Sequence, residues 1–340
     1  MLTNRKTGNG TSEAVGVAEK VKHGSVKDLY TKKEATEKEF GIGVFEFTDT
    51  YSIFDYGRMP DLIPGKGEAL ARMSVYNFNE LEKLGVKSHF RKFIEPDKIE
   101  VNLVRVLFPQ KGEISRGEKN FLVPLEIIFR NSLPTGSSVF KRLESGQISP
   151  KDLGLSRMPK PGEKLAKPLM DVSTKLEVTD RYLSWKEAQD LAKVDDAMLE
   201  KIKKTALLIN DFITKRAEKV GLEHADGKIE MAIDPHGELI LVDVCGTLDE
   251  NRMLFEGVHL SKQVIRDYYK PLTWYEELEK AKVDGVPKEN WPKPPKMPPK
   301  LQGIVSNMYK SACEAWIGKK VWGAPSVSQS VNEYRKFAGK

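Results

Sequence analysis

Two spacings of apolar residues alternate along the chain, and each predicts its own elements. From about Lys20 to Ile128, β-branched and aromatic residues with glycine punctuation, in VGVAEKVKHGSVKDLYTK and EFGIGVFEFTDTYSIFD, predict mostly strands. One helix interrupts them over about Gly67–Lys83, with apolar positions near the helical period and Gly85 as its stop. IEVNLVRVLFP and NFLVPLEIIFRN predict two more strands. LESGQISPKDLGLSRMPKPGEKLAKPLMD, with four prolines, predicts a loop-rich excursion too long for a simple connection. Ser184 stands three residues before Glu187, the signature of a capped helix start. The strongest helical pattern is DDAMLEKIKKTALLINDFITKRAEKVG, where Leu199, Ile202, Ala206, Ile209, Phe212 and Ile213 form one stripe and Gly221 ends it. LSKQVIRDYYK predicts a helix, VPKENWPKPPKMPPK an extended strap or linker, and LQGIVSNMYKSACEAWIG a closing helix. No internal repeat is present, and the Gly-, Thr-, Asn- and Ser-rich residues 1 to about 18 are expected to be a flexible tail.

DGKIEMAIDPHGELILVDV, Asp226–Val244, predicts a β-hairpin turning at DPHG. Asp226, Lys228 and Glu230 share one face of its first arm, because strand side chains repeat every two residues. With a loop of Asp234–Gly237, Ile233 pairs with Glu238, Lys228 lies opposite Asp243, and Glu230 is one diagonal step away. Three carboxylates and a lysine then converge on one face while the other stays apolar. Such a patch is either a surface ion-pair network or a cation site, with Glu230 and Asp243 able to share Mg²⁺. VDVCGTLDENRM, which leaves the strand irregularly with Asp249, Glu250 and Arg252, favours a site.

At 340 residues, 39% hydrophobic and 31% charged, the chain suits one large domain or two ordinary ones. No apolar run is long enough for a membrane span, and the first residues lack the apolar stretch of a secretory signal. Two cysteines, Cys245 and Cys313, and five scattered histidines form no disulfide framework and no zinc pattern, so a reducing, cytoplasmic setting is expected. The net charge of +6 is compatible with nucleic acid and equally with small phosphorylated ligands; no basic block dominates, so nucleic acid is not expected as a partner. Self-association is left open.

Other segments carry candidate chemistry. HGSVKDLY, His23–Tyr30, is a glycine-bearing strand-turn-strand whose amides and Lys27 could meet phosphate, or an ordinary hairpin; it does not fit the P-loop pattern. FDYGRMPDLIPGKGEALARMS joins Asp55 to a glycine-flanked helix start, which is either an anion site or a turn and a capped helix. RNSLPTGSS, Arg130–Ser138, gathers an arginine, a glycine turn and hydroxyls, a combination suited to phosphate. DVSTKLEVTD, Asp171–Asp180, taken alone reads as a solvated turn.

In this order the segments resemble the SAICAR synthetase family, phosphoribosylaminoimidazole-succinocarboxamide synthases of purine biosynthesis, from about Lys22 to Arg252. The family's glycine loop is matched by GSVKDLY, its SAFD…IPGKG by SIFDYGRMPDLIPGKG, and its VP-x-E…RN…GS by VPLEIIFRNSLPTGSS. STKLE, DGKIE and DVCGTLDENR match its later motifs. Ser25 stands where the family often has lysine, Val244 replaces the acid after Asp243, and Leu248 the usual proline, which together mark a divergent branch.

The resemblance implies a two-domain α+β fold, similar to ATP-grasp, with nucleotide in the interdomain cleft. The implied division is a tail over 1–18, a β-rich ATP-binding domain over 19–123, an α/β domain with metal and ribotide site over 124–270, and a Pro-rich strap with a closing helix over 271–340. ATP, carboxyaminoimidazole ribotide (CAIR) and L-aspartate would give ADP, phosphate and SAICAR. The ribotide carboxylate, a poor electrophile, would be activated as an acyl phosphate and the aspartate amine would displace phosphate, so that the protein positions groups and neutralises charge. Carried over, Gly24, Ser25, Val26 and Lys27 would cover the phosphates, the backbone at Phe121, Leu122 and Val123 would meet adenine, and Glu126 the ribose. Lys228 would approach the phosphates, and Glu230 and Asp243 would hold Mg²⁺. Arg130, Ser137 and Arg252 would bind the ribotide phosphate, with Asp55, Lys175 and Asp249 near the imidazole or the incoming aspartate. A rival is an inositol phosphate or lipid kinase of related architecture, which would need no amine-acceptor site; RN…GSS and STKLE argue against it. A second rival is a non-catalytic nucleotide- or nucleic-acid-binding protein, marked by salt-dependent binding without turnover.

Overall fold

The computed structural model describes residues 20–339 apart from residue 178, so the expected N-terminal tail lies outside the described residues. The first part forms β1 (Lys20–His23), β2 (Lys27–Lys33), β3 (Gly41–Phe47), α1 (Lys66–Lys83), β4 (Phe90–Ile94) and β5 (Lys98–Leu103). Its strands make an antiparallel sheet in the order β1-β2-β3-β5-β4. Then come β6 (Phe121–Leu133), α2 (Ser138–Glu144), β7 (Glu163–Thr174), β8 (Tyr182–Leu183), α3 (Trp185–Ala192), α4 (Asp196–Lys219), β9 (Glu223–Ile233), β10 (Leu239–Val242), β11 (Asn251–Phe255) and β12 (Val258–His259). These strands form a second sheet, β12-β11-β9-β6-β7-β8, with β10 paired to β9. The chain closes with α5 (Lys262–Tyr269), α6 (Thr273–Val283), α7 (Pro299–Ile317) and α8 (Val327–Ala338). The expected α+β architecture is present.

One apolar core runs through both sheets, because α1 presents Ala69, Leu70, Met73 and Phe78 to it on one side and α4 presents Ile202, Ala206, Ile209 and Ile213 on the other. Phe212, placed on that stripe from the sequence, is only half-buried, and Asn210 is buried instead. Asn210 and Asn131 exchange side-chain hydrogen bonds at 2.9 and 3.0 Å, which satisfies a polar contact inside the core. The sheets meet at β10: His89 N–H donates to the Leu241 carbonyl at 3.0 Å, and Leu241 N–H to that of Lys87 at 2.9 Å. The residue-184 cap is formed, with Ser184 and Glu187 bonded reciprocally at 2.8 and 3.2 Å.

Three local expectations change. The excursion ends in a strand, β7, that takes in KLAKPLMD and the start of DVSTKLEVTD, since β6 offers it an edge. The hairpin loop is the three residues 235–237, closed by Asp234 N–H to the Glu238 carbonyl at 2.8 Å, with Gly237 at φ 85°. The Asp234 carboxylate accepts from His236 and Glu238 N–H, both at 2.8 Å, and holds that turn. Ile233 therefore pairs with Leu239, Glu230 with Val242, and Lys228 is not opposite Asp243. Finally, the amides of Gly65 and Gly67 that open α1 are occupied by the Asp49 carboxylate at 3.1 and 2.9 Å, so this helix start is a capped turn and no anion site. Gly67 is required there because a Cβ would lie 2.3 Å from the Phe47 carbonyl oxygen.

Candidate active site

A slip of one residue in register sends a strand side chain to the opposite face, which would remove Asp243 from Glu230. The strand ends first. Asp243 takes φ 64°, in the left-handed region, and its carboxylate pairs with Lys27 from the loop between β1 and β2. Its carbonyl accepts from His89 Nε2 at 3.1 Å, a ring packed between Phe45 and Phe78. Burial holds His89 down to about 4, so the ring is neutral and serves as a fixed donor. Glu230 and Asp243 remain electrostatic neighbours: burial, then the Asp243 charge, push the Glu230 carboxyl up to about 7. Asp243 itself stays low, because Lys27 outweighs its burial.

Across the sheet, Glu126 on β6 stands directly opposite Glu230 on β9. Like charges in that position repel. Lys175, just beyond β7, bridges them at 3.0 Å to Glu126 and 2.6 Å to Glu230. Lys228 adds a second contact to Glu126 at 2.7 Å and one to Glu250 at 3.4 Å. Burial opposes the charge of both lysines, and the neighbouring carboxylates outweigh it and raise them above the usual lysine value. Three lysines thus interleave with Glu126, Glu230, Asp243 and Glu250 on one wall. Among the described residues no three His, Cys, Asp or Glu side chains are arranged to hold a metal, so Glu230 and Asp243 stand as a pair. Two hard oxygen donors are what Mg²⁺ asks of a protein when phosphate and water complete its shell.

This wall borders a cleft of about 550 Å³ between the two sheets, lined by Leu29 and Phe45, by Val104 and Leu122, and by Glu230 and Asp243. The glycine loop joins it through Lys27, the partner of Asp243: Gly24 N–H closes the turn on the Lys27 carbonyl at 2.9 Å, and a Cβ at Gly24 would lie 2.5 Å from that oxygen. Thr50 Oγ1 donates to the Ser25 carbonyl at 3.0 Å and Thr48 Oγ1 to that of Val26 at 2.9 Å, tying the loop to the strand-exit segment. The expected hinge at Phe121–Val123 meets the cleft through one residue. Phe121 and Val123 point into the core, and only Leu122 reaches the cleft. Arg105 N–H donates to the Asn120 carbonyl and Leu122 N–H to that of Arg105, both at 2.9 Å, so the start of β6 is paired with residue 105. Val104 and Val106 also line the cleft, and their peptide groups alternate with those of Arg105. The sequence passed over this segment because residues 107–119 separate it from the VPLE motif.

A second cluster gathers beside it. Arg130, with its side chain 4% exposed, bonds Asp171 and Asp226 at 3.2 Å each, Ser138 Oγ at 3.2 Å and Tyr182 Oη at 3.0 Å. Arg252 shares Asp226 at 2.7 Å and donates to the Gly136 carbonyl at 3.3 Å, while Arg142 shares Asp171 at 2.9 Å. Ser137 is the buried cap of α2, and its neighbour Ser138 makes the contact with Arg130. Arg130 is therefore internally saturated, and Arg252, with its side chain 26% exposed, is the accessible guanidinium.

The remaining expected residues separate. Asp55 is exposed at φ 56°, its carbonyl accepting from Lys288 Nζ at 2.7 Å. Asp249 is interior: Tyr309 Oη lies at 2.7 Å, Lys66 Nζ at 3.0 Å and Lys262 Nζ at 3.3 Å, and its side chain is 2% exposed. Lys262 and Arg266, four apart on α5, carried a legible helical spacing; Tyr182 and Tyr309 had no local signal. Val244 and Leu248, where the family pattern has an acid and a proline, are buried in the core, so those departures leave no gap.

Comparison with known proteins bears on the whole arrangement. The sequence profile of SAICAR synthetase matches residues 20–281. A protein of Archaeoglobus fulgidus, provisionally named a phosphoribosylaminoimidazole-succinocarboxamide synthase, is 40% identical, covering 92% of this chain and 99% of its own length. The phosphoribosylaminoimidazole-succinocarboxamide synthase of Thermoplasma volcanium is 34% identical over 87% of this chain and 98% of its own. A SAICAR synthase from Saccharomyces cerevisiae, solved with SAICAR, superposes with a TM-score of 0.65 at 21% identity, over 93% of this chain and 99% of its own. A type-2 SAICAR synthetase in complex with ADP gives 0.61 at 22%, over 89% and 99%. The fold is theirs, and the matched profile and relatives place the chain in the SAICAR synthetase family, the ATP-dependent ligases of purine biosynthesis.

Proposed function

We propose that this chain joins the carboxylate of CAIR to the amine of L-aspartate at the expense of ATP, releasing ADP and phosphate as SAICAR forms. The observation that carries the reading is the opposed pair Glu126 and Glu230, held together by Lys175 beside Asp243 at the mouth of the cleft. A sheet gains nothing in stability from facing carboxylates. A phosphoryl-transfer site gains from Glu126, Lys175 and Glu230 charges already in place before phosphate arrives.

In this reading the apolar walls at Leu29, Val104 and Leu122 receive adenine, and the segment at Val104 and Val106 meets its polar rim. Lys27 turns from Asp243 to the phosphates under the glycine loop. Glu230 and Asp243 would hold Mg²⁺, which supplies charge neutralisation on the phosphate oxygens. Their donor chemistry fits: burial and mutual repulsion leave Glu230 poorly ionised without a cation. Lys175 and Lys228 stabilise negative charge on the far side of the transferring group. Arg252, supported by Arg130, would orient the ribotide phosphate, and Asp55, on the loop between β3 and α1, would meet the incoming aspartate amine. Neither cysteine takes part; both thiols are buried.

The test is mass-spectrometric detection of SAICAR from CAIR, L-aspartate, Mg²⁺ and ATP. ADP release should require both acceptors. Brisk ATP hydrolysis indifferent to aspartate, with no adduct, would eliminate the reading.

A further inference from the structure

The family profile stops at residue 281, yet the chain beyond it closes over the loop between β3 and α1. Lys288 Nζ donates to the Asp55 carbonyl and Met297 N–H to the Asp61 carboxylate, both at 2.7 Å. From α7, Gln302 Nε2 donates to the Leu62 carbonyl at 2.7 Å and Ser306 Oγ to that of Pro64 at 2.6 Å. Tyr309 continues the same helical face, three residues after Ser306. Its hydroxyl passes the loop and donates to Asp249 Oδ1 at 2.7 Å.

Asp249 Oδ2 faces two ammonium groups, Lys66 at 3.0 Å and Lys262 at 3.3 Å. Tyr309 and Lys66 are fully buried. Burial depresses the Lys66 ammonium although Asp249 favours it, and Asp249 is held ionised because Lys262 and Lys66 outweigh its own burial. One carboxylate thus serves two cations, and its orientation decides how far each is drawn inward. Of the two only Lys262 has an outlet, with its side chain 16% exposed. It lies one helical turn before Arg266, which donates to Gln263 Oε1 at 3.4 Å and whose guanidinium is depressed by burial and by Arg252, although the more distant Asp55 and Asp249 carboxylates favour its charge. A guanidinium in that state, beside the partly exposed Lys262, suits an acidic ligand.

We propose that the C-terminal arm, residues 288–317, belongs to the catalytic unit, with Tyr309 as a positioning residue that fixes Asp249 and so presents Lys262 to an acidic co-substrate. The inference rests on the synthase reading above. Tyr309→Phe keeps the ring and deletes the single hydrogen bond. KM for CAIR or for L-aspartate should rise at least about tenfold, the scale of one hydrogen bond to a charged group. KM for ATP should stay within about twofold and Tm within about 3 °C. Lys262→Met should raise the same KM, and the double variant should be less than additive, because both act on one contact. Unchanged KM values, additive effects, or a uniform loss that follows a fall in Tm would overturn the role of Tyr309. A parent chain that forms no SAICAR would instead reject the synthase reading, and this inference with it.

Discussion

Replacing Asp243 by Asn separates folding from function at one atom. Asn accepts the left-handed backbone found at φ 64°, so the turn should persist. What is lost is the ion pair with Lys27, whose side chains are 19% and 22% exposed. A pair so placed contributes about 1–2 kcal/mol, and relief of the repulsion on Glu230 returns part of it. The net cost is then about 1 kcal/mol, or about 1–2 °C in Tm for a chain of this size. The pH dependence has a definite sign. Burial and then the Asp243 charge push the Glu230 carboxyl up to about 7 in the folded chain, against 4.5 for the free group. The native state therefore holds a proton that the unfolded chain releases, and without a cation stability falls as pH rises through that window. Removing the Asp243 charge should lower the Glu230 value and flatten the fall. Thermal melts at pH 5 and pH 8, without Mg²⁺, should differ less for the variant than for the parent. Turnover should drop at least about a hundredfold, and more Mg²⁺ should be needed for half-maximal rate. A variant that unfolds, or that keeps turnover within about tenfold at unchanged Mg²⁺ demand, would refute the assignment of Asp243 to the cation.

Ile229→Asn, on the buried face next to Glu230, should destabilise by roughly 2–4 kcal/mol, since it puts an amide among apolar side chains; a denaturant melt measures it. Arg252→Ala should weaken CAIR binding about tenfold or more by calorimetry while ATP affinity stays within about twofold, and the reverse pattern would place Arg252 at the nucleotide. Arg130→Ala should instead cost about 3–5 kcal/mol of stability, because Asp171 and Asp226 each lose a buried partner; a Tm equal to the parent's would contradict the saturation described here.

Local chemistry determined a good deal. The stripe Leu199–Ile213 is written in the helical period, and α4 forms there because burying that stripe outweighs weak local propensities. The Ser184–Glu187 cap and the glycine loop are likewise short-range devices, complete within a few residues. The same holds for the acidic face of β9, since strand geometry alone puts Asp226, Lys228 and Glu230 on one side. Tertiary structure decided what those faces meet. The hairpin register turned on a side chain, Asp234, that pattern counting treats as loop. The return of Asp243 to Glu230 depends on a left-handed residue and a lysine 216 positions away. Ser138 rather than Ser137 touches Arg130 because α2 begins between them. Val104 lines the cleft beside Leu122 because Arg105 pairs with β6 across an insertion. Tyr309 reaches Asp249 through helix packing that no spacing announces. Hydrophobic periodicity is a property of neighbours in the chain, whereas a charge site is set by which side chains share one low-dielectric volume, and that is decided when the sheets and the C-terminal helices close on each other.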